Sequence, residues 1–67
     1  MDDNLHSPAR RLIELRIEHG DLDGLIDRVA HEVPLDEVGL RRLKKRRLAL
    51  RDLIVALERR LGPFEPA

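Results

Sequence analysis

From Leu40 to Leu61 the chain runs LRRLKKRRLALRDLIVALERRL, a stretch with no Pro, no Gly and nine Lys or Arg against two acids. Leu40, Leu43, Arg47, Leu50, Ile54, Leu57 and Leu61 recur at alternating spacings of three and four. That period places them on one stripe of an α-helix, a heptad seam with a cation at one core position. A single amphipathic helix cannot bury such a stripe alone, so the rest of the chain is constrained to supply its cover.

The preceding segment has the matching pattern. Leu12, Leu15, His19, Leu22, Ile26, Val29 and Val33 repeat the same spacing, six of the seven being aliphatic. Ser7 is an N-cap and Pro8 suits the first helical position, where its missing N–H is no loss. Gly20 and Gly24 fall off the seam, each costing about 1 kcal/mol against Ala, and read first as a weak point, with a face of close approach as the alternative. Pro34 ends this helix, because its ring drives Val33 out of the helical region. Asp36 is the next N-cap, Leu35 and Leu40 have the spacing of a hydrophobic staple, and Gly39 weakens the first turn. Gly62 and Pro63 stop the second helix.

The expected architecture is therefore all-α: an antiparallel, coiled-coil-like two-helix hairpin forming one domain over residues 1–67. Helix 1 spans about 8–33, the turn 34–36 and helix 2 37–61, with flexible ends at 1–6 and 62–67. A joint this short forces the helices antiparallel. A turn centred on Pro34 and Leu35 sets Leu12 against Leu57, Leu15 against Ile54, His19 against Leu50, Leu22 against Arg47 and Ile26 against Leu43.

Such a chain has little core to spend on stability. A domain below about 70 residues rarely draws more than roughly 3–5 kcal/mol from its core. There is no Cys to form a disulfide, and His6, His19 and His31 are too scattered for a structural zinc site. Oligomerisation is the remaining common device. Ile13, Ile17 and Leu25 on helix 1, with Leu48, Leu53 and Val55 on helix 2, lie outside the seam and form a candidate interaction surface. The expectation is a homodimer making a four-helix bundle, with a further helical protein as a second kind of partner.

The net charge of zero hides an asymmetry: residues 1–39 hold four Arg against ten acids, net −6, and residues 40–67 hold nine Lys and Arg against three, net +6. Opposite helices in one chain are natural partners, so the basic run Arg41, Arg42, Lys44, Lys45, Arg46, Arg47 and Arg51 reads first as a solvated, internally paired face. The alternative is a small nucleic-acid-binding protein using helix 2. Against it stand the spread of these cations around the helix and the single aromatic, Phe64, which leaves nothing to stack on bases. No apolar run is long enough to span a membrane and the acidic start MDDNLH is no secretory signal, so the expected location is the cytoplasm.

Little here suggests catalysis. The chain has no Cys, Thr or Tyr, its one Ser is used as a cap, and no Gly-rich phosphate loop is present. No catalytic, cofactor or metal residue is assigned, and the chain is expected not to be an enzyme. His19 and Asp23, one helical turn apart, are two potential ligands where a metal needs three or four. Arg47, at a seam position, needs a carboxylate, and Asp23 is the nearest on helix 1; a polar seam residue of this kind fixes register and oligomeric state.

The stretches IELRIEHGDLDGLIDRV and LRRLKKRRLALRDLIVALE resemble the YdcH-like family of short bacterial helical-hairpin proteins of unknown function. His19, Leu22, Asp23, Ile26, Leu43, Lys44, Leu48, Leu50 and Asp52 match in order over about residues 12–58, with Arg51 standing where Lys is expected. The resemblance implies the two-helix architecture and a bacterial source, and it brings no activity, cofactor or substrate. Its polar positions His19, Asp23, Lys44, Arg51 and Asp52, taken with Arg47, make up the candidate polar set.

Overall fold

A computed structural model describes residues 7–62; the arm 1–6 and the tail 63–67, expected to be flexible, lie outside the described residues. Two helices and no strand are found among the described residues: α1, Pro8–Ala30, and α2, Glu37–Leu61. They pack against each other as a helical hairpin.

Each helix starts on a local signal. The Ser7 hydroxyl accepts the Arg10 N–H at 3.1 Å, with Pro8 in the first turn. Asp36 accepts the Gly39 N–H at 2.9 Å, and Glu37 places a negative charge where the helix dipole favours it. A Cβ on Gly39 would run into the Asp36 carboxylate. The glycine expected to weaken this turn therefore makes room for its cap. At the other end Gly62 has φ +83°, and its N–H bonds the Glu58 carbonyl at 3.1 Å. The left-handed backbone there explains the glycine.

α1 ends at Ala30, three residues before the expected Val33. His31 Nδ1 donates to the Asp27 carbonyl oxygen at 2.7 Å, taking the acceptor that the His31 backbone N–H would use in a continuing helix. That N–H turns to Arg28 O, and the Glu32 N–H to Val29 O, each at 3.1 Å, which tightens the last turn. The connection then runs over residues 31–36. Val33, expected in the seam, is 94% exposed.

The core is small and aliphatic. Leu12, Leu15, Leu22, Ile26 and Leu50 are buried, and Leu15, at 1% exposure, is the most enclosed. Leu40, Leu43, Ile54 and Leu57 are half-buried against Leu15, Leu22, Ile26 and Leu50. Gly20 and Gly24 do not interrupt α1, which is continuous through both.

Candidate functional site

Among the described residues three ion pairs join the helices and define the two flanks of the seam. Arg46 donates to Glu18 Oε2 at 2.7 Å, and Arg47 donates to Asp23 Oδ1 at 2.7 Å. Adjacent residues on a helix point roughly 100° apart, so these two bonds cross on opposite sides of the seam. Arg16 donates to Glu58 Oε2 at 2.6 Å; Arg16 stands two turns before Asp23 and so lies on the Asp23 side.

The rows that continue from these bonds differ in chemistry. From Glu18, the spacing of four, three and four gives Leu22, Leu25 and Val29. From Arg46 the same spacing gives Leu50, Leu53 and Leu57. Beyond the Glu18–Arg46 pair and the seam residues of these rows, the flank exposes Leu25 and Leu53 as its apolar edge, 36% and 49% exposed. On the other flank the rows Arg16, His19, Asp23 and Lys44, Arg47, Arg51 are polar, and the next step along each reaches a seam residue, Ile26 or Ile54. The hairpin thus has one apolar and one polar flank. Both rows can be read from the sequence once the Glu18–Arg46 and Asp23–Arg47 crossings fix which residues share a side.

The polar flank gathers most of the candidate polar set. His19, Asp23, Lys44, Arg47 and Arg51 line one open pocket of about 460 Å³, with Leu48 as its aliphatic wall. Asp52 does not line it and is exposed on α2. Asp23 is the hub: it accepts from Arg47, and its second oxygen stands 3.8 Å from His19 Nδ1. That distance is too long for a hydrogen bond and becomes an ion pair only when the imidazole is protonated. Arg47 is half-buried at the seam and Asp23 half-exposed, so the Arg47 cation is paired there while Asp23 keeps access to water. Among the described residues no group of three His, Cys, Asp or Glu is arranged to hold a metal.

The basic run is only partly neutralised. Among the described residues, Arg46 and Arg47 pair with α1, whereas Arg41, Arg42, Lys44, Lys45 and Arg51 form no ion pair. The internal pairing expected from the opposite charges of the two halves accounts for two of seven cations. Arg16–Glu58 even runs with reversed polarity, cation on α1 and acid on α2.

All six residues of the candidate interaction surface are exposed, but they do not make one patch. Leu25 and Leu53 edge the apolar flank. Leu48 and Val55, two turns apart, lie on the polar side of α2. Ile13, one turn before Arg16, stands on the polar side of α1 as Leu48 and Val55 do on α2, and Ile17, one turn further on, lies on the outer side of α1. No helix among the described residues is long and apolar enough to cross a membrane.

Fold and site together define a short helical hairpin with chemically distinct flanks. The chain belongs to the family described as "Protein of unknown function (DUF465)", whose model matches residues 12–58. Neither the curated proteins nor the solved structures searched gave a match.

Proposed function

We propose that this chain is a non-catalytic protein-interaction module of the YdcH-like kind, bacterial and cytoplasmic, which self-associates through its apolar flank into a four-helix homodimer and offers the same surface to helical partners. The observation that supports this reading is the pair of rows Leu22–Leu25–Val29 and Leu50–Leu53–Leu57. A helix in a bundle needs an apolar face wider than the two-position seam of a simple coiled coil, and Leu25 and Leu53 supply that extra width where a lone hairpin leaves them in water. Among the described residues five large aliphatic side chains are buried and nine are exposed, and association on this flank would cover two of the nine, Leu25 and Leu53.

Sedimentation velocity on the full chain at micromolar concentration tests this. A dimer is expected, and Leu25→Glu with Leu53→Glu should give a monomer, whereas Ile13→Glu with Ile17→Glu should leave the dimer intact. A wild-type chain that stays monomeric and helical across that range defeats the proposal.

A second reading, nucleic-acid binding through α2, is favoured by the five cations that take no partner among the described residues. It predicts retention on an oligonucleotide that falls steeply with salt, where apolar association is insensitive to it.

A further inference from the structure

We propose that the polar flank is a binding site for a phosphoryl group carrying at least two negative charges, held by Lys44, Arg47 and Arg51 on α2 with His19 on α1. The three cations follow one another at spacings of three and four and line the same open pocket. Like charges so placed repel one another along a helix. Asp23 is the one carboxylate in the pocket lining, which leaves it a formal charge of +2 with His19 neutral. Lys44 and Arg51 form no ion pair among the described residues.

Arg47 is already held at the pocket. Its bond to Asp23 uses Nη1 alone, and a guanidinium has further N–H groups for an oxyanion. Lys44 contributes a mobile point charge one turn before it and Arg51 a second planar fork one turn after it. Donors drawn from both helices, Lys44, Arg47 and Arg51 on α2 and the His19 ring on α1, suit a tetrahedral oxyanion better than a planar carboxylate. A doubly charged phosphate monoester or pyrophosphate matches the pocket charge, whereas a phosphodiester link carries a single charge. Leu48 offers an aliphatic wall to the carbon part of an organic phosphate. The site lies on the flank opposite Leu25 and Leu53 and does not rest on self-association.

The test is a titration of the full chain, followed by amide and histidine-ring NMR shifts, with inorganic phosphate, pyrophosphate and, separately, a short oligonucleotide lacking terminal phosphates. Saturable shifts confined to residues 44–51 and the His19 ring are expected with phosphate and pyrophosphate, pyrophosphate binding tighter. Lys44→Gln and Arg51→Gln should each weaken binding about tenfold, the size of one lost charged hydrogen bond. Lys45→Gln, next in the chain and outside the pocket lining, should change nothing. These are exposed positions, and their variants are expected to keep the helical circular dichroism of the parent. Non-saturating shifts, an equal loss in Lys45→Gln, or a response to the oligonucleotide without one to pyrophosphate would each overturn the assignment.

Discussion

Asp23 and Arg47 meet across the hairpin with 2.7 Å between Oδ1 and Nη1, and this bond closes the seam at its single cationic position. Arg47 occupies a place in α2 where every other seam residue is aliphatic. Its partner stands beside Leu22, the residue that a turn centred on Pro34 and Leu35 sets opposite it.

Replacing this cation tests what the pair contributes. A half-exposed ion pair is worth about 0–1 kcal/mol, and Asp23 keeps access to water when its partner is removed. A leucine at position 47 would instead extend the apolar seam, worth about 1 kcal/mol for a partly buried side chain. Arg47→Leu is therefore expected to match or exceed the parent in stability by up to about 1 kcal/mol, a rise in Tm of roughly 4–8 °C at that upper value. Thermal unfolding followed at 222 nm checks it; a fall of several degrees would mean that the pair holds the hairpin more tightly than its exposure implies. A changed sedimentation coefficient in the same variant would show that Arg47 selects the oligomeric state.

The glycines of α1 give a second test. A Cβ at Gly20 meets nothing within 4 Å, and one at Gly24 meets only the end of the Arg28 side chain at 3.7 Å. Both sit in continuous helix, so Gly20→Ala is expected to stabilise by about 1 kcal/mol through helix propensity alone. Chemical denaturation should show a higher midpoint with an unchanged slope. A lower midpoint would reveal that another helix approaches this surface closely.

The start of α2 gives a third. Asp36→Ala removes the acceptor for the Gly39 N–H and should cost about 1 kcal/mol. Gly39→Ala should be destabilising as well, because its Cβ displaces the Asp36 carboxylate. The two losses have one cause, so the double variant should lose little more than the worse single one. Additive losses in a melting series would separate the cap from the glycine.

Much of this hairpin is legible in the sequence because its signals are local. Ser7–Pro8, Asp36 and Gly62 act on their own backbone neighbours, and the seam positions share a period that survives any choice of register. Asp23 as the partner of Arg47 follows from the turn position. The end of α1 is not legible, since Pro34 marks where a helix cannot continue and says nothing of His31, three residues before it, which takes the Asp27 carbonyl. The fate of the basic run was hidden for a related reason. Net charges of −6 and +6 describe attraction between halves, but a bond needs side chains at the seam edge, and of the run only Arg46 and Arg47 pair there with α1 acids. The sides on which the candidate interaction residues fall are hidden for a like reason, since lying outside the seam does not say which side of a helix a residue shares.

The contrast between the two flanks carries a consequence for valency. If two hairpins join through Leu25 and Leu53 about a two-fold axis, their polar flanks turn outward on opposite sides of the bundle. Each assembly then carries two identical cationic pockets facing away from each other, a bridging geometry. Two anionic groups on separate molecules, or well apart on one, are held together by such a dimer with an avidity that neither pocket has alone.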